Sequence, residues 1–274
     1  MTAGAEDGTG GEHGTVGALD RAIRIIDELA GAPDGLDLAS VAKAVGMSAS
    51  GAHRALKSLV IGGVVAQRER RGEYYLGPKI LVWAQQMKQD GALATLAAPM
   101  LRDLNGETGE SVYLSVVRDS RIWNIVWLSG RGQIVVHARP GSESNFHSTG
   151  RGKLFLAYMP KERARTLIHS TGLPKVGPSS ITDETVLWEQ VAHAHELGYA
   201  VSREESFAGG AGVAAPVLGV DGTLLATIGV SVPLVRFESV GEQYFVDRVR
   251  AAASKIEEAV TRELMTGMRS VSQS

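Results

Sequence analysis

Two short helical patterns separated by a three-residue turn place the strongest constraint on what this chain can fold into. In DLASVAKAVG, Asp37 is a suitable N-cap and Gly46 a suitable C-cap around one apolar helical face. In SASGAHRALKSL, Ser48 is a suitable N-cap for a second helix that ends at Gly62. This spacing predicts a helix-turn-helix, in which the second helix enters the major groove of DNA.

The second helix carries one polar face. Ser50, His53, Arg54 and Lys57 stand at offsets of zero, three, four and seven, which share one side of a helix. We predict that the inward side consists of Ala52, Leu56, Leu59 and Val60. A polar helix face is most often only solvated, so this face alone leaves two readings open, a wet surface or a surface that reads DNA.

An arginine-rich hairpin after this helix favours the DNA reading. VVAQ and YYLG predict two short strands around the turn RERRGE, which is the wing of a winged helix. The whole chain has a formal net charge of -2, but between positions 51 and 77 five basic residues stand against two acids. Arginine and lysine there would neutralise phosphates, and Ser50 and His53 would reach base edges. The predicted DNA-binding residues are Ser48, Ser50, Gly51, His53, Arg54, Lys57, Arg70, Arg71 and Tyr74.

Flanking segments complete the N-terminal half. The glycine-rich residues 1–17 predict a disordered tail. ALDRAIRIIDELAG then predicts a helix, because Leu19, Ala22, Ile23, Ile26 and Ala30 recur at helical spacing. Pro78 opens a predicted connecting helix over residues 78–91, and a second helix, LATLAAPMLRDLNGETG, follows Gly91.

The rest of the chain alternates strand and helix patterns. SVYLSVV and RIWNIVWLS flank a predicted hairpin turn, and QIVVHA adds a third strand. Helices are predicted over residues 152–158, 160–170, 183–197 and 239–265, and further strands at YAVS, GVAAPVL and TLLATIGVSV. This order predicts an α+β domain with an antiparallel sheet. Trp123 and Trp127 are placed on one face of their strand, either packed against a helix or forming an aromatic pocket wall.

Composition and motifs argue against several other functions. The chain has no cysteine, which excludes disulfides, thiol nucleophiles and cysteine-bound zinc. GRGKL lacks the first glycine and the final serine or threonine of a phosphate loop, and GVSVP lacks the second glycine of a nucleophile elbow. His193 and His195 face different directions on their predicted helix, so their spacing argues against a shared metal ion. We expect no cofactor, metal site or catalytic residue, no membrane segment, and a cytoplasmic location.

The quoted motifs together resemble the IclR family of bacterial transcriptional regulators. LDLASVAKAVGMSASGAHRALKSLVIGGVVAQRERRGEYYLGPKIL, FHSTGRGKLFLAYMP and ELGYAVSREESFAGGAGVAAPVLGVDGTLLATIGVSVP carry the likeness, which runs from Ala18 to the end of the last helix. The resemblance implies a winged helix-turn-helix domain at residues 18–77, a linker helix at 78–91 used in dimerisation, an effector-binding and oligomerisation domain at 92–268, and a tail at 269–274. That last domain would hold a curved, GAF-like antiparallel sheet flanked by helices, in a dimer or a tetramer.

The resemblance also implies an effector site built from three stretches of the C-terminal domain. The residues it assigns are Gly150, Arg151, Ser202, Glu204, Gly212, Gly229 and Ser231, with Glu205 inside the second stretch. Several differ from the family pattern, which often has an acid, a cysteine and a serine where Ser202, Gly212 and Gly229 stand, and a small residue in place of Arg151. An arginine at a helix start can hold a carboxylate bidentately. The alternatives are that Arg151 faces solvent or pairs with Glu204 or Glu205.

The recognition helix departs from the family too. Ala49, Gly51 and Ala52 stand where the family often has Lys, Thr and Val, so its reading face is smaller and would act together with Arg70 and Arg71 of the wing. We therefore expect a homodimeric regulator that binds double-stranded operator DNA under control of a small, carboxylate-bearing effector. Repression is expected, with activation left open. The alternatives are a small-molecule enzyme with an accessory DNA-binding domain and a constitutive architectural DNA binder.

Overall fold

The chain divides into two compact units, Met1–Trp83 and Ala84–Ser274. The structure is a computed structural model that describes residues 17–69, 72–136, 142–143 and 145–271. Within these ranges no helix is long and apolar enough to cross a membrane.

The N-terminal unit is a three-helix domain with a two-stranded hairpin. Its elements are α1 (Ala18–Ala30), α2 (Leu38–Ala44), α3 (Ala49–Ile61), β1 (Val65–Gln67), β2 (Tyr74–Leu76) and the start of α4 (Lys79–Gln85). The Asp37 carboxylate accepts a hydrogen bond from the Ser40 amide at 2.7 Å, and the Ser48 hydroxyl accepts one from the Gly51 amide at 3.2 Å. Both predicted N-caps are confirmed, and each satisfies an amide that the helix leaves without a partner.

The core of this unit forms between the three helices and the hairpin. Its buried members are Ile25, Leu29, Val41, Val45, Leu56, Val65 and Tyr74. The predicted helix is confirmed as α1, but its apolar spacing does not mark the buried side, because Leu19 is 80% exposed and Ile23 is 57% exposed. Tertiary packing selects the face that carries Ile25 and Leu29, and the remaining apolar side chains of α1 stay at the surface.

The C-terminal unit is an α+β domain, as predicted. Its helices are α5 (Lys88–Thr108), α6 (Gly150–Tyr158), α7 (Lys161–Thr171), α8 (Glu184–Leu197), α9 (Leu234–Val240) and α10 (Glu242–Val271). Its strands are β3 (Ser111–Arg118), β4 (Arg121–Leu128), β5 (Ser142–Glu143), β6 (Ala200–Arg203), β7 (Gly210–Leu218) and β8 (Leu224–Pro233). The strands form one sheet in the order β5-β4-β3-β8-β7-β6, and every pairing is antiparallel.

Two predicted boundaries in this unit are wrong. The first long helix begins at Lys88, not after Gly91, whose amide bonds the Met87 carbonyl inside the helix. The closing helix is two helices, because Gly241 adopts a φ of 95° between α9 and α10.

The predicted third strand, QIVVHA, is not a strand over residues 133–136, and residues 137 and 138 lie outside the described residues. Carbonyl groups of this segment accept bonds from side chains, with the Ser111 hydroxyl bonding the Val136 carbonyl oxygen at 2.8 Å. The strand that pairs with the outer edge of β4, on the side away from β3, is β5.

The two faces of the sheet differ sharply. We call the face that packs on α5 and α10 the core face. Its buried strand residues are apolar, and they include Val112, Leu114, Val116, Ala211, Val213, Ala215, Val217, Ala226, Ile228, Val230 and Val232. We call the opposite side the α6 face, which carries Ser111, Tyr113, Ser115, Trp127, Ala200, Ser202, Gly212, Ala214, Pro216, Thr227, Gly229 and Ser231. Small and polar residues dominate it.

A bulge in β4 separates the two tryptophans. Trp127 pairs with Tyr113 and Trp123 pairs with Val116, with the register shifting between these pairs. Because Tyr113 and Val116 face opposite ways, the prediction that both tryptophans share one face is wrong. Trp127 lies on the α6 face, and Trp123 lies on the other side and is 42% exposed.

Candidate functional site

Helix α3 presents the predicted polar residues to solvent. Ser50, His53, Arg54 and Lys57 are all exposed, while Ala52 and Leu56 on the opposite side are fully buried. Val60, predicted to point inward, is 36% exposed. The four polar side chains therefore form one continuous, basic outer face on a helix whose other side is fixed by packing.

The first turn of α3 is compact. The Ser50 hydroxyl lies 3.3 Å from the Ser48 hydroxyl, which also caps the Gly51 amide. A Cβ atom at Gly51 would lie 3.1 Å from the Ser48 hydroxyl oxygen, so glycine at this position leaves the cap undisturbed. The turn thus keeps two hydroxyl groups together at the N-terminal end of the helix.

The hairpin contains one prediction that the structure corrects. Tyr74 is 6% exposed, belongs to the hydrophobic core, and exchanges backbone hydrogen bonds with Leu36. Its burial makes it a structural residue instead of a DNA contact. Next to it, the Arg68 guanidinium lies 5.3 Å from the centre of the Tyr75 ring. Arg70 and Arg71 lie outside the described residues.

Helix α6 packs very closely on the α6 face. A Cβ atom at Gly150 would lie 2.8 Å from the Ala200 carbonyl oxygen, and one at Gly152 would overlap the Phe146 carbonyl group. The Thr149 hydroxyl caps the helix by accepting from the Gly152 amide at 3.0 Å. Gly150 was predicted to bind the effector, but its surroundings show a packing role that lets α6 approach β6.

Arg151 follows directly and is buried. It is 5% exposed, and its guanidinium carbon lies 4.7 Å from the centre of the Tyr113 ring. The Tyr113 and Trp127 rings are parallel within 5°, with centres 6.2 Å apart. The alternative in which Arg151 faces solvent is therefore wrong. The Arg151 guanidinium packs against the Tyr113 ring, beside Trp127, on the α6 face of the sheet.

Three predicted effector residues meet on neighbouring strands. Ser202 pairs with Gly212, and Gly212 pairs with Ser231 across β6, β7 and β8. Both serines are half-buried, and a Cβ atom at Gly212 would lie 3.5 Å from the Ser202 hydroxyl oxygen. The structure thus brings two hydroxyl groups together around a position that has no side chain.

Gly229 also lies on this face, and Tyr113 explains why it is glycine. A Cβ atom at Gly229 would overlap both the Tyr113 hydroxyl and the Val213 carbonyl oxygen. The tyrosine hydroxyl therefore occupies the space that a side chain at this position would take. Tyr113 is not among the predicted site residues. It lies beside Gly229 because β3 pairs with β8, and the linear sequence does not reveal that pairing.

Glu204 is occupied within its own loop. Its carboxylate accepts a hydrogen bond from the Gly209 amide at 2.8 Å, and its backbone has a φ of 53°. This arrangement shapes the connection between β6 and β7. The adjacent Glu205 is buried at 8% exposure, and its carboxylate accepts hydrogen bonds from Lys153.

Lys153 is a buried charged residue that the sequence prediction missed. It is 2% exposed and lies on α6 among apolar neighbours. Burial lowers the pKa of Lys153, and burial raises the pKa of Glu205, while the contact between them opposes both shifts. A lysine within an apolar helical pattern was the available signal, but its partners come from distant segments.

Comparison with known proteins identifies the class that this fold and these sites define. Residues 85–258 match the family described as bacterial transcriptional regulator IclR C-terminal, and residues 18–69 match the IclR helix-turn-helix domain. The chain belongs to the IclR family of bacterial transcriptional regulators, and it is a DNA-binding protein of that class.

Individual relatives agree with this assignment. The HTH-type transcriptional regulator BhcR of Paracoccus denitrificans is 29% identical over 265 residues, covering 97% of this chain and 90% of that protein. The DNA-binding transcriptional repressor YiaJ of Escherichia coli is 26% identical, covering 87% and 86%. The transcriptional repressor IclR of the same species is 26% identical, covering 81% and 82%.

Solved structures share the fold. The IclR protein of Thermotoga maritima superposes with a TM-score of 0.69 at 24% identity, covering 88% of this chain and 98% of that one. An IclR homologue from Microbacterium hydrocarbonoxydans, crystallised with 4-hydroxybenzoate, has a TM-score of 0.69 at 23% identity, covering 90% and 100%.

Proposed function

We propose that this regulator changes its affinity for operator DNA when a small, carboxylate-bearing molecule binds on the α6 face. The observation that carries the proposal is the buried guanidinium of Arg151 at the N-terminal end of α6. A planar guanidinium holds a carboxylate through two parallel hydrogen bonds, and the helix end adds a favourable dipole. The Microbacterium homologue, whose ligand is a carboxylate, supports the same chemistry.

The hydroxyl groups on β6 and β8 fit the remainder of such a ligand. Ser202 and Ser231 are half-buried on either side of Gly212, so each can exchange hydrogen bonds with a bound molecule. Tyr113 and Trp127 supply apolar surface beside Arg151. A ligand with a carboxylate at one end and an apolar or aromatic body matches this set of residues.

We also propose that the chain acts as a homodimer. Apolar side chains are exposed on two helices of the N-terminal unit, at Leu19, Ile23, Leu81, Val82 and Trp83. Exposed apolar surface of this kind marks protein contacts. A dimer would place two α3 helices in successive major grooves about 34 Å apart.

The direction of regulation and the absence of catalysis belong to the proposal as well. Two of the relatives described above are named repressors, which supports repression. All three are named as transcriptional regulators, which supports a regulator over an enzyme with an accessory DNA-binding domain. Turnover assays on the bound molecule separate these two readings.

The DNA contacts can be tested on a duplex selected by the wild-type protein from a random pool. Arg54→Ala should weaken binding to the selected duplex and to unrelated duplexes alike, and reduce the slope of log affinity against log salt by about one. His53→Ala should change the preference between sequences and leave the slope unchanged.

The matched control is Arg165→Ala, which removes an exposed arginine from α7 in the other unit. It should leave both DNA affinity and salt slope unchanged. A loss of sequence preference in Arg54→Ala with the wild-type salt slope would contradict the phosphate contact.

A further inference from the structure

One buried amine connects three separate elements of the C-terminal unit. From α6, the Lys153 ammonium donates to the Gln190 side-chain oxygen on α8 at 2.8 Å and to the Val201 carbonyl oxygen on β6 at 2.7 Å. It also contacts both carboxylate oxygens of Glu205, at 2.8 and 3.0 Å. Glu205 belongs to the connection between β6 and β7, which we call the 204–209 loop.

The hydrogen-bonding capacity of this amine is fully used. An ammonium group has three donors, and it faces three acceptor groups here, one amide oxygen, one carbonyl oxygen and one carboxylate. Both oxygens of Glu205 accept from Lys153, so this pair holds the carboxylate against α6.

The 204–209 loop is held to its surroundings by further bonds. The Ser180 hydroxyl donates to the Glu205 carbonyl oxygen at 2.7 Å, and the Ser206 hydroxyl donates to the Ser148 carbonyl oxygen. Ser148 lies just before α6, and Ser202 lies just before the loop. The loop thus joins the segment that carries Arg151 to the strand that carries Ser202.

We propose that the Lys153–Glu205 ion pair is a positioning pair, which fixes the 204–209 loop against α6 and so sets the spacing between Arg151 and the β6 hydroxyl of Ser202. In this role the two residues act through the loop and not through contact with the ligand. The effect on ligand affinity rests on the proposed function, but the effect on the loop does not.

Single substitutions at this pair would not separate position from stability. Removing one partner leaves a buried charge without compensation, which destabilises the whole fold. Replacing both partners by apolar residues of similar size removes the charges together, and such replacements are often neutral for stability. We therefore expect Lys153→Met combined with Glu205→Leu to keep the unit folded while the loop loses its anchor.

Hydrogen–deuterium exchange of the full chain without ligand tests the proposal. Two loop amides are hydrogen-bonded, with Glu204 donating to the Gly210 carbonyl oxygen and Gly209 donating to the Glu204 carboxylate. In the double variant these amides should exchange at least about tenfold faster, while amides of β8 keep their wild-type rates. Exchange of the loop amides at the wild-type rate would overturn the proposal, and so would equal acceleration throughout the unit.

Glu242→Gln is the matched control. It removes an ion pair between Glu242 and Arg203, the last residue of β6 before the 204–209 loop, and the two side chains are 34% and 52% exposed. It should leave loop exchange unchanged. If the double variant does not fold, Glu205→Gln keeps the side-chain volume, and its loop amides are then compared with the β8 amides of the same variant, which also report any global loss of stability. The ratio of loop to β8 exchange rates should be higher in Glu205→Gln than in Glu242→Gln. Equal ratios in these two variants would also overturn the proposal. Since no ligand is present, failure here is distinct from failure of the ligand-binding proposal.

Discussion

The two faces of the six-stranded sheet are built from the same strands but from opposite kinds of residue. Along β8, Ile228 and Val230 on the core face are fully buried in a continuous apolar cluster. The residues that alternate with them, on the α6 face, are Thr227, Gly229 and Ser231, which are polar or lack a side chain. One alternating strand thus separates the part of the unit that stabilises it from the part proposed to bind a ligand.

This difference shows how a sheet can hold a polar site without losing its stability. Burial of apolar side chains on the core face supplies the main favourable term in folding. The α6 face can then accommodate glycines, a buried arginine and an ion pair, each of which is costly or neutral for stability. The effects of substitutions on the free energy of unfolding should therefore differ between the two faces in size and in sign.

The largest effect is expected on the core face. Ile228→Ala removes a fully buried side chain from the apolar cluster and should lower the free energy of unfolding by about 2–5 kcal/mol. Ser231→Ala, on the other face of the same strand, should change it by less than about 1 kcal/mol because Ser231 is half-buried. Chemical denaturation monitored by circular dichroism gives both values. Equal losses in the two variants would remove the distinction between the faces.

A smaller effect is expected where the α6 face is tightly packed. A methyl group at Gly229 would overlap the Tyr113 hydroxyl and the Val213 carbonyl, so Gly229→Ala should cost about 1–3 kcal/mol. At Gly212 the closest approach is 3.1 Å, to the Val230 carbonyl oxygen, and Gly212→Ala should cost less. Thermal unfolding of both variants measures the difference. A larger loss at Gly212 than at Gly229 would show that the packing around Tyr113 is looser than the structure indicates.

The smallest effect should have the opposite sign. Thr227 is fully buried on the α6 face, and its hydroxyl has no hydrogen-bond partner among the described residues. Thr227→Val replaces this hydroxyl by a methyl group of similar size, so we expect the free energy of unfolding to rise by about 1 kcal/mol. The same denaturation experiment applies. Destabilisation would indicate that the hydroxyl has a hydrogen-bonding role.

Much of the architecture could be predicted because it follows from local chemistry. The N-caps Asp37 and Ser48 and the polar face of α3 depend only on residues within one or two turns of helix. Both caps form in the structure, and the polar face is exposed. The α+β class follows from the alternation of strand and helix patterns. The buried side of α1 depends on tertiary packing, and the apolar spacing of its sequence does not identify Ile25 and Leu29 as the buried residues.

The candidate site was harder to predict, because strand pairing and close approach determine it. The bulge in β4 reverses the side of Trp123 relative to Trp127, which no alternation pattern reveals. Gly150 has a packing role because the Ala200 carbonyl approaches it from a strand that lies far away in sequence. The acids of the 204–209 loop could be noticed individually, but only the fold shows that Glu205 faces Lys153.

The central claim is that Arg151 on the α6 face binds the carboxylate of a small molecule. Differential scanning fluorimetry of wild type and Arg151→Ala against a panel of small aliphatic and aromatic carboxylates, including 4-hydroxybenzoate, tests it most directly. At a ligand concentration of one hundred times Kd, binding stabilises the folded state by about 2.7 kcal/mol. We predict that at least one carboxylate raises the melting temperature of the wild type and fails to raise that of Arg151→Ala. An equal rise in both proteins, or no rise with any member of the panel, would contradict the account.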